Sequence, residues 1–333
     1  MEGKEVLELC PGTGYNSYFL LKYFNVRNVT CIDFNKASIE KCKKNLSNFN
    51  NVKILKRDLN LYTTKKKYDY VILENALDAF VDADKIFRKV QKFLKKDGSL
   101  ILMYGNKPGI FSMKLRYLIS IIYTQKLKIT KFQSRLKFLS NLFKGHLNYL
   151  SSNSRNSEKW VLDNILNEDW ISNHDFFDFS NLKKNLLKNY YIKSYHPKII
   201  YDFSWYKNIN QNPNEEYFKF CENSFLEFLD FETKFNSVDK KAFKYIINII
   251  KTIKFFHFDK PLNINRLKLI KNDLKKLKQS LNLLKKDNKI SKALDEVILF
   301  IDQYNNENDF NLNFKYFKKF WGSYNQMISI YKK

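Results

Sequence analysis

The chain has 333 residues, 44% of them hydrophobic, with Lys+Arg 59 against Asp+Glu 34 for a net charge of +25. That is enough apolar material for one large or two ordinary domains without disulfide staples. Its strongest apolar runs, Ser120–Tyr123 and Tyr245–Ile250, fall far short of the roughly 20 residues needed to span a bilayer, which excludes membrane insertion.

A pI near 9.6 ordinarily points to nucleic acid or an anionic surface. Here the lysines are spread along the chain among abundant Asn, Ile, Phe and Tyr, the pattern that nucleotide bias in a genome produces, so a nucleic-acid partner is not favoured. The start, Met-Glu-Gly-Lys-Glu, has no basic segment leading into an apolar one, which argues against a signal peptide. Cys10, Cys31, Cys42 and Cys221 lack metal-type clustering, and the expectation is a reduced, cytoplasmic setting with no metal.

Val6–Leu9 reads as a strand and Tyr15–Phe24 as a helix, with a loop carrying Gly12 and Gly14 between them. Glycine there lets the backbone take φ > 0 and brings it within reach of a ligand at the helix N-terminus. Gly12-x-Gly14-x-x-Ser17 is one residue short of the dinucleotide fingerprint, so a nicotinamide or flavin cofactor competes. Glu8 tips the balance: a carboxylate repels a pyrophosphate and attracts the cationic amino-acid end of S-adenosylmethionine.

Strands are expected near Val29–Asp33, Val52–Lys56, Tyr70–Leu73 and Ser99–Met103, and helices near Lys36–Phe49 and Asp82–Leu94. This alternation predicts an α/β fold, a doubly wound Rossmann-like sheet with helices on both faces. A ligand would then lie across the carboxyl ends of strands one and four, at the switch point.

The segment Val6-Leu-Glu-Leu-Cys-Pro-Gly-Thr-Gly14 resembles motif I of the class I S-adenosylmethionine-dependent methyltransferases, and the next hundred residues continue the likeness in order. Cys31-Ile-Asp33-Phe34 resembles the end of the second strand, where the family's acid grips the ribose hydroxyls and the next residue flanks adenine. Arg57-Asp58-Leu59 resembles the turn at the adenine edge, Tyr68–Leu77 the fourth strand and its cofactor-facing turn, and Phe93–Leu102 the approach to strand five. The family's first glycine is Cys10 here. The resemblance implies S-adenosylmethionine as cofactor, held by Glu8, Cys10, Gly12, Thr13, Gly14, Asn16, Asp33, Phe34, Asp58, Leu59, Glu74 and Asn75. Related enzymes carry lid helices before strand one; little precedes it here, so another segment closes the site or it stays open.

After Gly109 the alternation stops. Residues 1–108 are taken as the cofactor core, 109–185 as a mainly helical insert forming an acceptor pocket or lid, 186–210 as the closing strands of the sheet, and 211–333 as a helical C-terminal bundle. In the insert, Glu158–Leu166 reads as a helix entered through Ser157. Tyr190–Tyr206, rich in β-branched and aromatic residues, is expected to supply the closing strands. Leu267, Ile270, Leu274, Leu277 and Leu281, then Ile290, Leu294, Val297 and Ile301, predict an antiparallel helical hairpin, a candidate homodimer or docking surface. Phe317, Phe320, Trp321, Tyr324 and Ile328 continue helical spacing and are expected to pack on the same bundle.

Methyl transfer from a sulfonium is an in-line displacement, so positioning dominates, and an oxygen acceptor wants a base. The candidate bases are His146, His174 and His196, with Asp163, Asp169 and Asp175; His146 and His196 flank the insert and closing strands and are preferred as catalytic residues. Glu74-Asn-Ala-Leu77 lacks the Asn-Pro-Pro-Tyr type signature of amino-methylating DNA enzymes. The segments at Ser157–Asn164 and Tyr201–Lys207 are faintly similar to class I methyltransferases of bacterial surface-sugar gene clusters. That likeness, with aromatic platforms beside carboxylates and amides, points to a small-molecule acceptor, a sugar or nucleotide-sugar, met by Tyr104, Asn106, Trp160 and Asp163. The alternatives are an RNA methyltransferase and a degenerate, non-catalytic binding protein of the same fold.

Overall fold

The first hundred residues alternate as their apolar pattern requires: β1 (Glu5–Leu9), α1 (Tyr15–Tyr23), β2 (Asn28–Asp33), α2 (Lys36–Asn45), β3 (Val52–Lys56), β4 (Tyr68–Glu74), α3 (Ala83–Gln91) and β5 (Leu94–Gly105). Four helices follow, α4 (Lys107–Lys126), α5 (Phe132–Leu147), α6 (Ser157–Asn164) and α7 (Glu168–Ile171), then α8 (Phe179–Asn185), β6 (Tyr190–His196) and α9 (Pro213–Ser224). The chain ends with α10 (Lys240–Ile253), α11 (Ile264–Leu284), α12 (Lys289–Gln303) and β7 (Asn325–Lys332). This computed structural model describes residues 1–150, 155–171, 177–196, 213–230, 232–233, 235, 239–285, 288–304 and 313–333.

Two units emerge, each with its own core. The first comprises Met1–Gly105, Phe177–Cys221 and Asn325–Lys333. Its seven strands lie in the order β3-β2-β1-β4-β5-β7-β6, the first five parallel and β7 antiparallel to both neighbours. Successive side chains on a strand point to opposite faces, and β1 shows the consequence. Val6 joins Val29, Cys31, Leu20 and Cys42 in one apolar cluster, while Leu7 and Leu9 join Val71, Leu73, Phe87 and Leu100 in the other. Glu8 shares the parity of Val6 and faces α1. Parallel strands one and four are direct neighbours, with Leu9 opposite Leu73, so their carboxyl ends form the switch point expected from the sequence.

The closing strands differ from expectation. Tyr190–His196 supplies only β6, and residues 197–206 lie outside the described residues. The strand between β5 and β6 is β7, in which Ile328 and Ile330 are buried while Met327, Ser329 and Tyr331 are half-buried. Ile328 is therefore a sheet residue and not part of the helical bundle. The stretch from Phe317 satisfies helical spacing by coincidence up to Tyr324, but Met327-Ile-Ser-Ile-Tyr331 alternates with period two, and pairing across β5 uses that period.

The second unit comprises Asn106–Phe176 and Glu222–Tyr324. Its long helix α4 is buried almost all round, from Ile110 to Thr124, and its first turn is capped by Asn106, whose side chain accepts the Gly109 N–H at 2.6 Å. The predicted hairpin is present as α11 and α12: Leu267, Ile270, Leu274, Leu277 and Leu281 are buried with Ile290, Leu294, Val297 and Ile301 in one core. Each such side chain contributes about 1.5–3 kcal/mol by leaving water. Lys278 and Asp295 add an ion pair across the hairpin at 2.6 Å. The helix α6 is capped one residue earlier than expected, by Asn156, which accepts the Lys159 N–H at 2.9 Å.

Candidate cofactor site

The loop between β1 and α1 is built from left-handed residues. Cys10 (φ 55), Gly12 (φ 56) and Gly14 (φ 80) all lie there, and Gly14 is the N-cap of α1. A Cβ on Gly14 would stand 2.8 Å from Cys42 Sγ and 3.3 Å from Leu46 Cδ1, so this glycine lets the loop rest on α2. A Cβ on Gly12 would meet nothing within 4 Å, so the backbone there faces open space. Cys10 adopts the left-handed conformation with a side chain, a strain of about 1 kcal/mol or more. Its N–H bonds Ile32 O at 2.8 Å, tying the loop to the end of β2. Burial, with the carboxylates of Asp33 and Asp58, pushes the Cys10 thiol up to about 12, so it stays protonated and is no nucleophile.

Beneath the loop sits Glu8, 2% exposed. Ser17, in the first turn of α1, donates its hydroxyl to one Glu8 oxygen, and Asn16 donates its amide to Glu74 at the end of β4. Burial raises the Glu8 carboxyl to about 7; hydrogen bonds from Ser17 and Asn16 oppose the rise and the Glu74 charge adds to it. Two carboxyl groups thus share one patch at the switch point, clamped by the start of α1. Ser17 was legible only as the near-miss third position of a dinucleotide fingerprint; its bond to Glu8 appears once the helix packs on β1.

The other expected cofactor residues assemble around the same strand ends. Asp33 closes β2, is buried, and accepts the Asn35 N–H at 2.9 Å through Oδ1. Phe34 beside it leaves its ring 67% exposed. Asp58, after β3, is exposed and accepts the Asn60 N–H at 2.8 Å, while Leu59 is buried. Asn75 follows Glu74 in a left-handed conformation (φ 50) with its N–H on Met103 O at 3.3 Å. Thr13 O accepts the Asn45 amide at 2.9 Å.

Of the expected acceptor residues, Tyr104 belongs to the first unit and Asn106, Trp160 and Asp163 to the second. Tyr104 is buried in the first unit with its hydroxyl 2.5 Å from that of Tyr217. Asn106 is used as a helix cap, its amide on Ser323 O at 2.6 Å and Tyr324 O at 2.9 Å. Trp160 is a core residue of the second unit, edge-on to Phe143 and Trp321, and Asp163 pairs with Arg155. The two rings among them, Tyr104 and Trp160, are buried.

His146 is buried among Phe143, Phe314 and Phe317, its Nδ1 without a partner, and burial next to Arg116 pulls it down to about 2. A base must reach its proton donor, and this ring is packed as a core side chain. His196 is exposed at the end of β6, opposite Met327; His174 and Asp175 lie outside the described residues. The Nδ1 of His257 meets Glu168 at 3.0 Å, with the Tyr117 hydroxyl 3.3 Å from the same carboxylate. A separation of 89 residues left no local signal for that pair.

Comparison with known proteins adds three findings. The family model of the methyltransferase domain matches residues 1–162. Among curated proteins, the chain is similar to malonyl-[acyl-carrier protein] O-methyltransferase of Priestia megaterium, 29% identical over 102 residues (30% of this chain, 37% of the relative). It is likewise similar to malonyl-[acyl-carrier protein] O-methyltransferase 1 of Ilyobacter polytropus, 30% identical over 104 residues (31% and 38%). The chain therefore spans under two fifths of the length of these curated relatives. Among solved structures, PKMT2 from Rickettsia typhi in complex with AdoHcy aligns at TM-score 0.46 and 19% identity over 66% of this chain and 46% of that one. N-methyltransferase NodS from Bradyrhizobium japonicum, in complex with S-adenosyl-L-homocysteine, aligns at TM-score 0.29 and 15% identity over 31% and 53%.

Proposed function

We propose that this chain, whose residues 1–162 belong to the class I S-adenosylmethionine-dependent methyltransferase domains, transfers a methyl group to an oxygen or nitrogen of a small molecule in the cytoplasm, a sugar or nucleotide-sugar before other acceptors. The observation that carries the activity is the junction of β1, β2 and β4: a left-handed loop, an acid at each strand end and an exposed ring beside one of them. Among the described residues no helix is long and apolar enough to cross a membrane.

The residues suit the cofactor. The open space over Gly12 admits it to the backbone, Glu8 and Glu74 offer negative charge to an ammonium, Asp33 offers a carboxylate to ribose hydroxyls, and Phe34 offers a ring to adenine. The sulfonium supplies an activated methyl; the protein's part is to hold donor and acceptor in line and keep water out. Labelled cofactor incubated with nucleotide-sugars, a malonyl-loaded carrier protein and RNA tests the acceptor. Label in a nucleotide-sugar is the expected result; label in RNA alone overturns it. A carboxyl group on an acyl-carrier thioester is the second reading, favoured by the named relatives, and label in the malonyl carrier alone would select it.

Glu8 makes cofactor binding depend on pH. Its carboxyl is raised from 4.5 to about 7, so the folded protein favours the protonated form; the stability this gives is complete below pH 4.5 and is lost as pH rises through 7. A cation bound nearby favours the ionised form, so affinity for S-adenosylmethionine should rise between pH 5.5 and 7 and level off above, by at most about tenfold per pH unit. Calorimetry across that range checks it. In Glu8→Gln the slope should vanish, and an unchanged slope would remove Glu8 from the linkage.

A further inference from the structure

We propose that the outward face of α1 is a docking site for an amphipathic helix of another protein, one whose apolar stripe is flanked by carboxylates. This surface goes beyond the methyl-transfer reading and stands without it. Tyr15, Phe19 and Tyr23 are 72%, 53% and 60% exposed, and Phe24, just past the helix, is 41% exposed. Tyr18 shows the contrast on the same helix: it turns inward, edge-on to Phe49 at 5.5 Å. Contiguous exposed aromatic surface of this kind marks an interaction site more often than chance, whereas scattered apolar residues need no explanation.

The spacing selects the occupant. Tyr15, Phe19 and Tyr23 stand at i, i+4 and i+8, which is one continuous ridge of the kind that lies in the groove of a second helix. Phe19 leans on Tyr23 (4.9 Å between centroids, 49°) and on Phe24 (5.7 Å, 55°). The rings thus cover part of one another's faces and form an apolar pad, unlike the flat open platforms on which bases stack.

Charge selects its chemistry. Between Glu8 and Asp33 the chain has no acid, while Lys22 and Arg27 are exposed, and Lys22 lies over the rings of Tyr18 and Tyr23 at 5.5 and 5.3 Å. The adjoining helix α2 adds exposed Lys36, Lys41, Lys43 and Lys44 against Glu40. Glu2 is engaged by the Asn25 amide at 3.2 Å. A second copy of this face would set cation against cation, so the complement is an acidic helix.

The probe is a fluorescein-labelled synthetic peptide of about 18 residues, roughly 27 Å as a helix, with leucine at i, i+3, i+4 and i+7 and glutamate elsewhere. A counterpart carries lysine for glutamate. Fluorescence anisotropy with the full chain should show binding of the glutamate peptide only. Phe19→Ser/Tyr23→Ser and, separately, Lys22→Glu should each weaken it at least tenfold while thermal unfolding and cofactor binding stay as in the parent. Equal binding of both peptides, or undiminished binding by the double variant, overturns the proposal. So does tighter retention, through the same residues, of phosphatidylglycerol vesicles or of oligouridylate, which would reassign the face to a membrane or to RNA.

Discussion

Gly322→Ala should unfold the helical unit, at a cost above about 4 kcal/mol, the range reserved for the most disruptive single substitutions. The segment Gly322–Tyr324 crosses the first turn of α4 backbone to backbone. A Cβ on Gly322 would fall 2.2 Å from Gly109 O and 2.8 Å from Gly109 C and Cα, and one on Gly109 would fall 2.3 Å from Ser323 O. Side chains can swing aside; these are main-chain atoms fixed by hydrogen bonds. The Gly322 N–H lies on Ser112 Oγ at 3.2 Å, Ser323 N on Phe228 O at 2.9 Å, and the Asn106 amide on Ser323 O and Tyr324 O. Gly109→Ala should do the same through the reciprocal clash. Urea titration followed by circular dichroism measures the effect, and a variant melting at the parent's midpoint would show that the strands of backbone do not cross so closely.

The second large effect concerns the cofactor. If Asp33 holds the ribose as proposed, Asp33→Ala removes a charged acceptor for two hydroxyls, each such bond contributing roughly 1.5–3 kcal/mol, so affinity for S-adenosylhomocysteine should drop at least tenfold by calorimetry. Because Asp33 Oδ1 also accepts the Asn35 N–H at 2.9 Å, alanine loosens the turn before α2 as well. Asp33→Asn separates the two roles. Its carbonyl oxygen keeps the turn, while the charge and one acceptor are lost, so folding should match the parent and affinity should still fall. A variant that binds as the parent does would take Asp33 away from the ribose.

Folding changes the setting of Glu8. The sequence suggests an ionised acid at the mouth of the loop; the fold buries it under α1, where burial raises its carboxyl to about 7. Repulsion of a phosphate is correspondingly weaker than an exposed carboxylate gives. Glu74, half-buried and hydrogen-bonded by Asn16, carries negative charge to the same patch.

What the sequence determined by itself is the first sheet and its loop. Short apolar runs alternating with helical segments, the glycines at positions 12 and 14 where the loop turns left-handed, and acids at strand ends are local signals, because a strand's faces and a turn's dihedrals are set by residues adjacent in the chain. The 3-4 spacing of Leu267–Leu281 and Ile290–Ile301 was legible for the same reason. Tertiary structure alone decided which segment closes the sheet, since β7 pairs with β5 across more than two hundred residues (Ser99 with Tyr331) and only then offers its other edge to β6. It also decided that Trp160 and His146 fill a core, although nothing in their neighbours in sequence separates a packed aromatic from one that faces a substrate. Burial depends on what distant surface remains uncovered, and that quantity exists only once the chain has folded.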